Sequence, residues 1–236
     1  MSIGKAARFL GVTPMTLRRW EKSGKLIPRR TPTGHRRYAM EQMSEAFGGS
    51  IASRALVWVS ESEGTEPDSA FYCLTGAIFQ ERLMRVEREL ARLPDTSETY
   101  SLILAAAGEI GNNSFDHNIG NWPDIPGIFF AFDRESRSLV LADRGQGILK
   151  TLQQIRPTLA SDREALTVAF TEILSGRSPE ARGNGLKLVR KIAPLAGVEV
   201  SFRTGNACLL INKKHPDIQV EEAKTSFHGC LAILRF

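Results

Sequence analysis

The chain has 236 residues, 42% of them hydrophobic and 24% charged, with a net charge of +5 at neutral pH. That composition suits a globular protein of one large or two small domains, and no apolar run approaches the roughly 18 residues of a membrane span. Met1-Ser-Ile-Gly-Lys5 holds no apolar stretch ahead of a cleavage site, and Cys73, Cys208 and Cys230 are not in metal-ligand spacing, so we expect no export signal and a cytoplasmic protein.

The charge is unevenly spread. Residues 1–40 carry ten Lys/Arg against one acid, Glu21, while residues 41–236 carry 21 Lys/Arg against 25 Asp/Glu. A basic head on a mildly acidic body points to nucleic acid at the head. Within it, Ile3, Ala6, Ala7 and Leu10 fall at helical spacing and Gly11 breaks the pattern. Thr13 and Pro14 then supply an N-cap and a first helical residue. The second helix would turn Leu17 and Trp20 inward and leave Arg18 and Arg19 outward, which makes a helix-turn-helix whose second helix enters the major groove. Residues 24–38 read as a short β-wing, with a turn at Gly34 flanked by Arg29, Arg30, Arg36 and Arg37.

Ala6-Ala7, Leu10-Gly11-Val12, Thr16-Leu-Arg-Arg-Trp-Glu21, Gly24 and Thr33-Gly-His-Arg-Arg-Tyr38 together resemble the MerR-type winged helix-turn-helix. The resemblance implies double-stranded DNA as partner, with Arg18 and Arg19 at the groove and the wing arginines on phosphates. Thr16, Arg18, Arg19, Arg29, Arg30, His35, Arg36, Arg37 and Tyr38 are the candidate DNA-binding residues. MerR regulators continue into a long dimerisation helix, whereas here the pattern stops near Met43, so a homodimer stays open. We take residues 1–46 as the head, 47–54, with Gly48-Gly-Ser50, as linker and 55–236 as the body.

In the body, Ala55–Val59 reads as a strand and residues 60–69 as a loop. Phe71, Leu74, Ile78, Leu83, Val86 and Leu90 predict an amphipathic helix over 71–93, ended by Pro94. A sensor histidine kinase carries its phospho-accepting histidine in such a place. The four histidines here, His35, His117, His215 and His228, all lie elsewhere, which argues against that activity.

Next comes the apolar helical run from Tyr100, ending in Glu109, Asn113 and His117 at intervals of four, one stripe on one helix face. Glu109 could take a proton from water, the Asn113 amide could ligate Mg²⁺, and His117 could orient the set, although a solvated face would look the same. Residues 127–133 and 138–143 predict a hairpin delivering Asp143, followed by Gly145 and Gly147, whose backbone a flat ring could approach closely. Alone, Asp-x-Gly is equally a common turn. Two amphipathic stretches, 148–155 and 163–174, precede Arg182-Gly183-Asn-Gly185-Leu186. There, backbone N–H groups at a helix start would bind phosphate, with Arg177, Arg182 and Lys187 near in sequence. Runs at 197–202, 207–211 and 229–236 read as strands, and 212–226 as loop.

The order Glu-x3-Asn-x3-His, Asp-x-Gly-x-Gly, Gly-x-Gly-Leu resembles the GHKL ATPases, the superfamily of gyrase, a heat-shock chaperone, histidine kinases and a mismatch-repair ATPase. The resemblance covers roughly residues 97–236 and implies an α/β sandwich of Bergerat type, a mixed sheet covered by helices, so that the whole chain is of α+β class. It further implies ATP and Mg²⁺ as ligands. Asp143 would accept from the adenine amino group, and Asn113, His117, Gly145, Gly147, Arg182, Gly183, Gly185 and Leu186 would complete the site, under a mobile lid between the two glycine boxes. Glu109 would be the general base if ATP is hydrolysed. The expectation is a DNA-binding regulator switched by nucleotide. The alternative is an ATPase or an anti-sigma-type serine/threonine kinase placed by its head, and a regulatory protein partner stays open.

Overall fold

Hydrophobic periodicity sets the architecture. A computed structural model describes residues 1–4, 6, 14–24, 26–39, 42, 50–172, 184–212, 218–223 and 225–236, apart from the side chain of Thr16. The chain divides into two compact units, Met1–Val57 and Trp58–Phe236.

In the first unit, helix α1 (Pro14–Lys22) places Leu17 in a small core with Ala6, Leu26 and Tyr38, against which Met1, Ile3, Trp20, Leu56 and Val57 pack. Strands β1 (Arg29–Arg30) and β2 (Arg36–Arg37) pair antiparallel around Gly34, forming the wing. The amino-terminal strand end is tied to it, since Tyr38 N donates to Met1 O at 2.9 Å. The turn expected at residues 11–13 lies outside the described residues, as do 43–46 of the expected head and 47–49 of the expected linker.

Residues 55–59 are not a strand. They belong to helix α2 (Ile51–Ser60), which starts inside the stretch read as linker. A five-residue apolar run has no period of its own, and here it continues a helix from Ile51.

The second unit is a seven-stranded sheet in the order β3-β4-β5-β9-β6-β7-β8, made of β3 (Tyr72–Cys73), β4 (Ile128–Asp133), β5 (Ser138–Asp143), β6 (Glu199–Thr204), β7 (Ala207–Ile211), β8 (Gln219–Glu222) and β9 (Cys230–Arg235). Every pairing is antiparallel, so the expected mixed sheet carries no parallel pair among the described strands. Hairpins join β4 to β5 and β6 to β7, and β9 slots between β5 and β6.

Helices α3 (Gly76–Leu90), α4 (Tyr100–Asn118), α5 (Gly147–Gln153), α6 (Asp162–Thr171) and α7 (Gly185–Leu195) follow the predicted periodicities. Helix α3 starts later than residue 71 because Tyr72 and Cys73 pair with β4 instead, and Thr75 Oγ1 then caps it by accepting from Ile78 N. Ser161 caps α6 in the same way. The main core lies between sheet and helices: Phe79, Ile103, Ile110, Phe170, Val189 and Ile192 meet Ile128, Phe130, Leu139, Leu141, Phe202 and Leu234. Among the described residues no helix is long and apolar enough to cross a membrane.

Candidate nucleotide site and nucleic-acid interface

Helix α4 is the shelf of the candidate site. Its buried face, Ile103, Ala106, Ala107 and Ile110, fixes its rotation against the core, which leaves one polar row on the flank of the helix and carries a second along the core-facing side toward the end of β5. The first row is the expected one. Glu109 and Asn113, both half-buried, face the start of α7: a Cβ added at Gly185 would lie 2.3 Å from Glu109 Oε2 and 3.3 Å from Asn113 Nδ2. A side chain there would push the Glu109 carboxylate aside, so the second glycine box sits directly against the acid–amide pair although the two are some seventy residues apart in the chain. His117 ends the helix exposed, and its carbonyl accepts from Gln146 Nε2 at 3.3 Å.

The second row was missed by the sequence reading. Ser114 Oγ donates to Asp143 Oδ2 at 2.7 Å, and Asn118, buried, donates from Nδ2 to Ser114 O and accepts Gln146 N on Oδ1, each at 2.8 Å. These two residues bind the Asp143–Gly147 loop to the helix. Their i, i+4 spacing on a largely apolar helix was the signal that could have revealed them.

Asp143 itself ends β5, fully buried, and its Oδ1 also accepts from Gly145 N at 2.9 Å. Burial drives its carboxyl up to about 6, against the pull of the Ser114, Gly145 and Cys230 donors. Sheet register adds partners that no local pattern contains. Asp143 lies opposite Cys230, and Cys230 opposite Thr204. Thr204 Oγ1 donates to Gly229 O at 2.9 Å and accepts from Ile148 N at 3.2 Å, so it fixes the end of the glycine loop beside Gly147. Gly229 has φ +72, and a Cβ on it would meet Asp143 O at 2.1 Å, which requires glycine on both counts.

The remaining candidates fall elsewhere. Leu186 packs against the main core. Arg177, Arg182 and Gly183 lie outside the described residues. Among the described residues no three His, Cys, Asp or Glu side chains converge on a metal position. A buried carboxylate with spare lone pairs, glycine backbone beside it, and an acid–amide pair at a helix start suit an aminopurine carrying phosphates.

In the first unit, Arg18, Arg19, Arg29, His35 and Arg37 are exposed. Arg30 and Arg36, opposite one another on the wing, share a face and close on Glu21, with Arg30 Nη2 at 2.7 Å from Oε1 and Arg36 Nε at 2.6 Å from Oε2. The Arg36 hydrogen bond, with that of Arg30, outweighs desolvation and holds the Glu21 carboxyl below its usual value. Tyr38, expected on the DNA face, is 1% exposed. It is a core residue, because its ring fills the space between Leu17 and Leu26 that so small a domain must close.

Residues 2–38 match the family model described as MerR family regulatory protein. No curated protein is similar to the chain in sequence. Among the solved structures that it matches is the 43K ATPase domain of Thermus thermophilus gyrase B in complex with an aminocoumarin, at 16% identity and a TM-score of 0.34. That likeness takes in 68% of this chain and 40% of that one, so the chain spans less than half of the structure it is similar to.

Proposed function

We propose that the protein is a DNA-binding transcriptional regulator whose second unit binds Mg²⁺·ATP and whose DNA affinity depends on that nucleotide. The observation that carries the nucleotide reading is the shared shelf: one helix holds Glu109 and Asn113 against Gly185 and, one row over, Ser114 against the buried Asp143. Adenine would lie on the Asp143–Gly147 loop with its amino group donating to Asp143. Guanine offers a carbonyl oxygen at that position and is rejected by the carboxylate. The phosphates would run toward the start of α7, where the helix-start N–H groups and the helix dipole favour anions, and Asn113 would hold the Mg²⁺ that they carry. The match of residues 2–38 to MerR regulators supports DNA as the partner of the first unit.

Nucleotide can shift DNA affinity only by its own preference between two conformers, and such couplings are typically about 5- to 150-fold. The test is fluorescence anisotropy of labelled duplex DNA at matched salt, with and without Mg²⁺·ATP, alongside calorimetric titration of ATP. A change of about fivefold or more supports the switch. Tight ATP binding with unchanged DNA affinity removes it and leaves two independent functions.

The wing geometry makes its own prediction. Glu21 neutralises one charge of the Arg30–Arg36 pair, while Arg29 and Arg37 lie on the opposite face. Replacing Arg29 and Arg37 by Ala should lower the slope of log affinity against log salt by about 1.8, the effect of two lost phosphate contacts. Replacing Arg30 and Arg36 by Gln should change the slope by less than about 1, because Glu21 already holds both guanidinia and they displace few phosphate counterions. Equal slopes from the two pairs would refute this assignment. A second reading, ATP hydrolysis, is favoured by the closeness of Glu109 to the α7 start.

A further inference from the structure

Arg144, the residue between Asp143 and Gly145, has no side to show the nucleotide. Its side chain is wholly buried, and its guanidinium spends four donor contacts on the opposite side of the loop. Nε and Nη2 both reach Asp124 Oδ2, at 2.8 and 2.6 Å, Nη1 donates to Trp58 O at 2.5 Å, and Nη2 also donates to Glu61 O at 2.9 Å. Trp58 O lies in the last turn of α2 and Glu61 O just past its end, where a helix leaves its last carbonyls unpaired and its dipole favours a cation. Arg144 is therefore the cap of α2.

The strap that follows is held at both ends. Trp58 Nε1 donates to Thr65 O at 2.7 Å, the Trp58 ring lies 6.2 Å from that of Phe129 on β4, and Gly64 passes directly over the Arg144–Asp124 pair. The chain reaches this strap straight from the first unit. Val57 is the last residue of that unit and packs against its core, and Trp58 is the first of the second.

We propose that Arg144 is a positioning residue that makes the strap 58–65 the sensor of nucleotide occupancy. This rests on the reading of Asp143 as the adenine acceptor. The peptide 143–145 faces the base through Asp143 and holds the strap through Arg144, so a ligand that fixes one side fixes the other. By reciprocity, tightening the strap raises nucleotide affinity by the same factor. A planar fork with five donors is needed, since one ammonium cannot reach two carbonyls and a carboxylate together.

The experiment is amide hydrogen exchange by mass spectrometry on the full chain, with and without Mg²⁺·ATP, with calorimetric ATP titration of the same samples. The variants are Asp124→Asn and, should that fail to fold, Arg144→Lys, whose single ammonium cannot hold both carbonyls and the carboxylate at once. In the wild type, ATP should slow exchange in residues 58–65 at least about fivefold, the lower end of typical couplings. In either variant ATP should still bind, within about tenfold of wild type, while the slowing in 58–65 is lost. ATP binding to the wild type without slowing there overturns the sensor and leaves the nucleotide reading intact. Absence of ATP binding to the wild type overturns that reading, and the sensor with it. Slowing that survives in the variants also overturns the role given to the clasp.

Discussion

Asp143→Asn is expected to bind ATP about ten- to a hundredfold more weakly than the wild type, yet to unfold at no lower temperature. The two halves of the expectation share one cause. In the wild type the carboxylate already accepts Ser114 Oγ on Oδ2 and Gly145 N on Oδ1, with the Cys230 backbone N–H as a third donor, and one lone pair remains for a further donor. An amide that keeps its oxygen toward Gly145 N turns its NH₂ toward the place where the adenine amino group arrives, so donor meets donor. A lost hydrogen bond to a charged acceptor is worth about 1.5–3 kcal/mol, and about 1.4 kcal/mol is tenfold in affinity, which gives roughly one to two decades. Stability moves the other way. Burial raises the Asp143 carboxyl from 3.8 to about 6 in the folded chain. A raised acid contributes its stability in full below its unfolded value and loses it as pH rises through the folded value, so at neutral pH the fold carries a buried charge that Asn removes. Acidification supplies the internal control. As pH falls through about 6, wild-type affinity should drop toward that of the variant, whose own affinity stays flat. Titration calorimetry from pH 5 to 8 with scanning calorimetry of the unliganded proteins checks every part. Equal affinities at pH 8 would remove Asp143 from the site.

What the sequence disclosed and what it withheld follow the range of the interactions. The stripe of Glu109 and Asn113 was legible because helical spacing is local, and Asp143 because an apolar hairpin strand announces its own end. Ser114 and Asn118 obey the same local rule but lie beside the stripe already assigned to Glu109, Asn113 and His117, and drew no separate reading. Thr204, Gly229 and Cys230 could not be read, since they reach Asp143 only through the β5–β9–β6 register, fixed by strand pairing across 60 to 90 residues of chain. Arg144 read as a spacer between Asp and Gly because its partners lie 20 and more than 80 residues away. Strand β8 went unseen because only Val220 of its four residues turns inward, and an edge strand held by backbone pairing needs no apolar signature. Tyr38 was misplaced by its neighbours: a ring beside four arginines suggests a DNA contact, whereas so short a domain needs every large side chain it has for a core. Arg30 and Arg36 were counted with Arg29 and Arg37 because a run of arginines conceals the alternation of a two-residue strand.

Glu109→Gln is expected to keep ATP binding within about threefold of wild type and to lower hydrolysis at least about a hundredfold, the usual contribution of a positioned general base. The side chain keeps its length and its place against Gly185, and only its basicity is lost. Loss of a negative charge near a triphosphate can only favour the ligand, so weaker binding would mean that the residue serves to hold the site together. The position argues for chemistry. Glu109 is half-buried on a helix fixed by the core, beside the start of an eleven-residue helix whose N–H groups suit the phosphates. A carboxylate is an unfavourable choice at an anion site unless a water between it and the terminal phosphate must lose a proton. Gly185→Ala sharpens the comparison, because its methyl group would displace the Glu109 carboxylate without changing its chemistry and should reduce turnover as well. Phosphate release at steady state and calorimetric titration on the three proteins decide the matter. Turnover in wild type that vanishes in both variants makes the second unit an ATPase whose DNA affinity would then be timed by hydrolysis. Binding without turnover in the wild type makes ATP a resident signal, sensed by its concentration alone, and leaves Glu109 as a residue that shapes the turn at Gly185.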